Sequence, residues 1–403
     1  MRIKAALYNA DHLEYGLVTI PFPIPQDQYN DTIKMLEALD IGDPRAKDCM
    51  VEEIEGCVPS LKCLEGHRIN VDELDYLVKR LDSFSDGELA QFQGMVVKMG
   101  LSDMTDLINL TFCCQQATVI TDFSDLEQIG RDHYMNLHGG CASMEELERL
   151  DARKTALDLI LNDTSGQITP YGVVYDNGTM LEQVYDGRHF PDFYYKNSMA
   201  SVLLSLNNQM NEQETLYFPC AESEITRTLC RLGATQPEKF TATLIATDDD
   251  ISPAVRSVFE GEYPLTEHLK TLNALSKCLQ LFDAQTLDKF HTVFDTIWPD
   301  TPEEILWIAE NIYDFTVIPG ISNAEEYGQH LIQVSGHFEV KSELDSYIDY
   351  QKFGEHYIKK EGGVLGDRGY VAYLGNKPEI VAIVIRRITA EQNTQDFQLG
   401  DFS

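Results

Sequence analysis

Long apolar runs are missing from this sequence. The longest, Ile380 to Ile385, falls far short of the roughly 20 residues that a membrane-spanning helix needs, so no such helix is expected. Positive charge is scarce too: 31 Lys+Arg stand against 66 Asp+Glu, a formal charge of −35. DNA, RNA and anionic membranes are polyanions that such a chain repels, which disfavours them as direct partners and points to a basic protein surface instead. Paired cysteine motifs are absent. The nine cysteines are odd in number, show no C-x-x-C spacing and sit mostly among apolar residues, which predicts reduced thiols in a cytoplasmic protein. The N-terminal residues reach Asp11 before any apolar stretch of signal-peptide length, so no secretory leader is expected.

What the chain does have is length and apolar content: 403 residues at 43% hydrophobic are enough for two or three domains with real cores. Three readings of the acidic excess stand side by side. It is a solvating surface, as in salt-adapted proteins; or carboxylate metal sites; or an imitation of nucleic acid. Carboxylate sites need ligand loops, and Asp248-Asp249-Asp250 lacks the spacing of a calcium loop. For imitation, the phosphate density of duplex DNA equates 35 charges with roughly 60 Å, or about 18 base pairs.

An internal repeat organises the chain. Thr316 to Gly328 repeats the skeleton of Thr118 to Gly130 at an offset of 198 residues, each with a β-branched run before a Ser-x-x-Glu sequence, Ser124/Glu127 and Ser322/Glu325. Ser-x-x-Glu predicts a capping box and hence a strand followed by a capped helix. The same offset matches Leu77 with Leu275, Phe84 with Phe282, Leu89 with Leu287 and Phe92 with Phe290. Near the start it slips by two, pairing Thr19, Phe22 and Pro23 with Thr215, Phe218 and Pro219. Two diverged copies of a unit of about 200 residues are expected. No Pro/Gly/Ser-rich linker separates them.

Alternation at Ile3, Ala5 and Leu7, and again at Val202, Leu204 and Leu206, predicts a small sheet opening each copy. Helices follow. In the first copy, Asn70 caps a helix whose apolar stripe (Leu74, Leu77, Val78, Leu81) leaves Asp72, Glu73, Asp75 and Asp82 on the outer side. Ser85 caps the next, with Asp86 and Glu88 in its first turn, and Asp103 and Asp106 begin a third. Asp122, Asp125 and Glu127 gather at the repeat motif. Asn177-Gly178 predicts a type I′ turn closing a hairpin, and Tyr373, 198 residues after Tyr175, implies an equivalent hairpin from Tyr370 to Ile385. In the second copy the acids are Asp248, Asp249, Asp250, Glu303, Glu304, Glu310, Asp314, Glu325 and Glu326, while Lys270, Lys277 and Lys289 make its middle less acidic. Acids at helix starts are ordinarily explained by the macrodipole; the excess over that need is the signal.

Nothing in the chain calls for catalysis. His138-Gly-Gly-Cys141 places a thiol near an imidazole, but no third group orients the pair, and the positions 198 residues on are Gly336 and Glu339. His133, His138 and Cys141 lack a fourth ligand for a structural zinc site. No phosphate loop, dinucleotide fingerprint or hydrolase motif occurs. No enzyme activity, metal or cofactor is expected.

Leu7-Tyr-Asn9, Tyr15-Gly16 and Phe22-Pro23 in the first copy, with Tyr347-Ile-Asp349-Tyr-Gln-Lys-Phe-Gly354 and the closing hairpin in the second, together with the acidic helical middle, resemble the ArdA-type antirestriction proteins. The resemblance covers nearly the whole chain and implies an α+β fold, an elongated tandem of small mixed subdomains with short antiparallel sheets. It also implies DNA mimicry: the acids named above stand in for phosphates in the DNA-binding groove of type I restriction–modification enzymes. Members of that family pair as dimers, so the two copies imply a covalent pseudo-dimer, with further dimerisation open. Another DNA-targeting defence complex such as a CRISPR effector, or an acidic scaffold without mimicry, are the alternatives. The expected divisions are 1–198 (subdomains 1–66, 67–116, 117–198), 199–388 (199–263, 264–314, 315–388) and a polar tail, 389–403.

Overall fold

The structure, a computed structural model, describes residues 2–193, 195, 198–206, 212–234, 239–247, 253–259, 265–336, 338, 340–341, 343 and 347–375. It is a mixed α+β protein with four short antiparallel sheets among the described residues. Asp248 to Asp250, the far part of the second expected hairpin and the polar tail lie outside them.

The chain opens with β1 (Ile3–Tyr8), β2 (Leu17–Phe22), α1 (Tyr29–Ala38), β3 (Cys49–Gly56) and β4 (Arg68–Ile69), whose strands order as β2-β1-β3-β4. Ile3, Ala5 and Leu7 point inward, as the alternation predicts. The stretch from Val51, which shows no clean period, is the end of a strand followed by a 3-10 segment, Pro59–Leu64. Three helices come next: α2 (Val71–Asp82), α3 (Asp86–Met99) and α4 (Met104–Leu110). Then β5 (Thr118–Ile120), α5 (Leu126–Leu137), α6 (Met144–Arg149), α7 (Ala152–Asn162), β6 (Gln167–Thr169) and β7 (Gly172–Tyr175) build a sheet ordered β5-β7-β6. Ile120, Ile129, Ala156, Leu159 and Tyr175 form the core beneath it.

A second series follows: β8 (Ala200–Leu206), β9 (Gln213–Phe218), α8 (Glu222–Leu232), β10 (Phe240–Thr247), α9 (Pro253–Phe259), α10 (Leu265–Gln280), α11 (Ala284–Ile297) and α12 (Pro302–Glu310). It ends with β11 (Phe315–Pro319), α13 (Ala324–Gln329) running into a π turn at His330–Val334, α14 (Tyr350–Glu361), β12 (Val364–Gly366) and β13 (Gly369–Tyr373). The sheet order β11-β13-β12 matches β5-β7-β6, and β10-β8-β9 matches β3-β1-β2, with no counterpart of β4 among the described residues. Helices α11, α12, α13 and α14 begin 198 residues after α3, α4, α5 and α7.

By contact, one compact unit comprises 1–197, 203–216 and 220–241, and the other 198–202, 217–219 and 242–403. The first unit therefore takes in α8 and most of β9.

Two local expectations are corrected. Ser124 and Ser322 are not the N-caps of their helices: Asp125 accepts from the Gln128 amide and Asn323 from the Glu326 amide. An Asx side chain one residue further on is at least as good an N-cap as serine, and it wins in both places. Asn177 and Gly178 do have positive φ, 54° and 74°, but they close no hairpin. The hairpin is β6–β7, turned at Pro170-Tyr171, and its counterpart β12–β13 pairs Val364 with Val371 where β6–β7 pairs Gln167 with Val174. These partners lie 197 residues apart, so Ala372, not Tyr373, stands where Tyr175 stands.

Glycines set two helix crossings. A Cβ at Gly130 would overlap the Ala152 carbonyl oxygen, so α5 meets α7 backbone to backbone; at Gly328 and Gly354 it would overlap the carbonyl oxygens of Tyr350 and Ala324. Behind α13 and α14, Tyr327, Leu331, Tyr370 and Ala372 form a core. Backbone cannot yield as a side-chain tip can, so Gly354→Val is expected to cost roughly 3 kcal/mol. Chemical denaturation with hydrogen exchange read over α13 and α14 checks it; wild-type protection there would contradict the backbone contact.

Candidate protein-interaction surface

The expected phosphate-mimicking acids divide by burial. Asp86, Asp103, Asp122, Asp125 and Glu127 are exposed, and so are Glu303, Glu310, Asp314 and Glu325; Asp82, Glu88, Asp106, Glu304 and Glu326 are half-buried. Asp72, Glu73 and Asp75 are buried, at 4%, 2% and 4% exposure. The placement of those three on an outer helix face is thus overturned. Every residue of α2 from Val71 to Val78 is buried, because α2 has protein on its polar side too.

That polar side is neutralised within the first unit. Arg227 and Arg231, one turn apart on α8, both reach Asp72: Arg227 Nε donates to Oδ1 at 2.9 Å, and Arg231 Nη1 to Oδ2. Arg231 Nε donates to Glu214 Oε1 on β9 at 2.8 Å. Lys79 Nζ lies 3.0 Å from Asp75 and 2.7 Å from Glu224, while the Ile24 amide donates to Asp75 Oδ1 at 2.7 Å. Burial disfavours the Arg231 charge, but the Glu214 and Asp72 carboxylates more than offset it and hold the guanidinium charged. Burial pushes Asp75 up, against the opposing pull of Lys79. The sequence signal for this network was Arg227 and Arg231 at helical spacing in a chain poor in cations.

Several of these acids, exposed and half-buried, are held in place at or near helix starts. Asp103 accepts from the Thr105 amide at 2.8 Å and Asp125 from that of Gln128 at 3.0 Å. Glu88 completes a capping box with Ser85, and Glu326 accepts from the Ser322 amide at 2.7 Å and hydroxyl at 2.9 Å. The Ser124 hydroxyl and amide hold Asp122 below the usual carboxylate range. Glu304 accepts from the Asp300 amide at 2.9 Å. Asp103, Asp122 and Asp125 among the exposed acids, and Glu88, Glu304 and Glu326 among the half-buried ones, are thus anions oriented by backbone hydrogen bonds.

No protein-family model matches the chain, and no curated protein matches it.

His138 and Cys141 do not form a nucleophile pair: the ring nitrogen Nδ1 lies 2.7 Å from the Tyr134 carbonyl, and the thiol donates to the Gly139 carbonyl at 3.6 Å. Among the described residues no three His, Cys, Asp or Glu side chains converge as a metal site, and no helix is long and apolar enough to cross a membrane. All nine cysteines are free thiols. His133 lies apart from this loop, its Nδ1 2.9 Å from Thr118 Oγ1, and that hydroxyl oxygen accepts from Asn177 Nδ2 at 2.9 Å.

Two outcomes follow. Arg231→Met leaves Asp72 and Glu214 buried without this guanidinium and is expected to destabilise the first unit by about 3–5 kcal/mol, read by urea unfolding; a loss below about 1 kcal/mol would show the pair to be dispensable. Burial lowers the His133 pKa, so the fold favours the neutral ring. Its contribution is full above the unfolded-state pKa of about 6.5 and is lost as pH falls from there through the folded-state value. Stability should therefore drop between pH 7.5 and 5.5, and His133→Gln should flatten that slope; an unchanged slope would discharge His133 from the role.

Proposed function

We propose that the chain is a non-enzymatic DNA mimic of the antirestriction kind, a cytoplasmic inhibitor that occupies the DNA-binding groove of a type I restriction–modification enzyme. One observation carries this reading. The chain's 31 cations cannot neutralise 66 acids, and three of those cations, Lys79, Arg227 and Arg231, are bound to Asp75, Asp72, Glu224 and Glu214. Those three are exceptions: cations such as Lys4, Lys34, Arg45, Lys62 and Arg131 are exposed, but they are outnumbered, and the exterior keeps an acidic excess. Exposed acids pinned by amide hydrogen bonds suit recognition by a rigid groove, since little side-chain entropy remains to be lost on binding.

The recurring elements support an origin as two fused copies of one unit, which would act as a covalent pseudo-dimer and spare the entropic cost of bringing two subunits together. The copies would not be equivalent. Lys270 stands 198 residues after Asp72, and Asn273 after Asp75.

Mimicry requires competition. Titrated against a type I methyltransferase core bound to labelled DNA, the protein should displace the DNA, with an apparent affinity that falls steeply with salt. Replacing Asp86, Asp122, Asp125 and Glu127 together by Asn, Asn, Asn and Gln should weaken displacement at least about tenfold while leaving thermal stability near wild type. No displacement at low salt would remove this target. Displacement by the quadruple variant at full strength would remove these four acids from the interface.

A further inference from the structure

Asn177-Gly178, which closes no hairpin, is the single Asn-Gly pair in the sequence. An asparagine before glycine carries a latent reaction. The glycine amide nitrogen, with no adjacent Cβ to shield it, attacks the asparagine side-chain carbonyl carbon and closes a five-membered succinimide. The Cγ–Nδ2 bond breaks, the proton lost by the attacking nitrogen ends on Nδ2, and ammonia departs. Water then opens the ring at either carbonyl to give aspartate or isoaspartate. Asparagine plus water thus becomes a carboxylic acid plus ammonia, with no oxidant or reductant.

In the folded chain both reacting groups are engaged elsewhere. Asn177 Nδ2 donates to the Gln116 carbonyl at 2.7 Å and to Thr118 Oγ1 at 2.9 Å, which uses both of its N–H bonds. The Gly178 amide donates to Asp176 Oδ1 at 3.1 Å. Asp176 is fixed in turn, its Oδ2 3.3 Å from Lys98 Nζ and its carbonyl accepting from the Thr179 amide at 2.8 Å. Attack requires the carboxamide to swing off two acceptors and the Gly178 N–H to leave Asp176. Burial gives no such protection: Asn177 is half-buried, and Gly178 is exposed with open space beside it, so water reaches the pair.

The same bonds tie three elements together. Thr118, on β5, is 2% exposed, and its Oγ1 also accepts from Asn136 Nδ2 at 3.3 Å and lies 2.9 Å from His133 Nδ1, both on α5. Asn177, just past β7, supplies the donors on the third side. A carboxylate at position 177 has no N–H to offer the Gln116 carbonyl or Thr118 and sets a negative charge against a carbonyl oxygen.

We propose that Asn177 is a modification site, a self-deamidation centre that the folded β5–β7 region holds in check and that local opening of this region releases. Conversion is one-way, because the donors that closed the region are lost with the ammonia. The site is separate from the mimicry reading and stands or falls without it.

Incubation of the full chain at mildly alkaline pH, folded and in concentrated urea, with mass-spectrometric mapping of the peptide that holds residue 177, tests the proposal. Aspartate and isoaspartate should form at 177 in urea and at least about tenfold more slowly in the folded protein, where only the opened fraction reacts. Thr118→Val removes one of the two acceptors and should speed conversion of the folded protein about fivefold while leaving the rate in urea unchanged. Asn177→Asp, the product made directly, should lower the melting temperature by about 3 °C or more. Equal rates in the folded and urea-unfolded chains would overturn the proposal. So would a Thr118→Val protein that converts no faster than wild type, or an Asn177→Asp protein that melts with it.

Discussion

Asp72 faces two guanidinium groups, and the assembly of the first unit depends on that meeting. A carboxylate taken out of water costs several kcal/mol unless charge and hydrogen bonds replace the lost hydration. On α2, three acids fall within its first five residues, so the helix cannot be buried unless another element brings cations to it. Helix α8 does so with Arg227 and Arg231, and β9 adds Glu214, a second carboxylate for the Arg231 guanidinium. Residues some 150 positions downstream are thereby required to complete the surroundings of α2. That is why the contact division assigns α8 to the first unit rather than leaving it with the elements that follow it.

The network is not repeated along the chain, although the framework is. Helix α10, which corresponds to α2 by the 198-residue spacing of its neighbours, has exposed Lys270 where α2 has buried Asp72. The hydrophobic positions matched between the two series, Leu77 with Leu275 and Phe92 with Phe290, are buried in both. The two series share a packing pattern but not a charge pattern, as expected if apolar positions are constrained by volume and polar ones by whichever partner happens to face them.

Much of the fold was legible in the sequence because short-range physics decides it. The alternation in β1 and β8 and the caps at Asn70, Ser85 and Asp103 depend on residues within a few positions of each other. Burial of α2 does not. Its heptad-like stripe looked one-sided because Asp72, Glu73 and Asp75 read as solvent-facing, and only the three-dimensional arrival of Arg227, Arg231 and Tyr185 makes them interior. The shift of the hairpin from Asn177-Gly178 to Pro170-Tyr171 has a similar cause: Asn177 is spent on the Gln116 carbonyl and Thr118 hydroxyl, a tertiary use that its φ preference does not announce.

The N-caps have a consequence for how charge can drift on such a surface. Ser85 and Asp283, Asp103 and Thr301, Asp125 and Asn323, and Asp151 and Asp349 occupy the same places in the two series, and each accepts a backbone amide at a helix start. Asp, Asn, Ser and Thr are close to interchangeable in that task. A helix start is therefore a position where a full negative charge can be gained or lost by one substitution with little effect on folding. A surface built from such positions can be retuned, charge by charge, without rebuilding the scaffold that carries it.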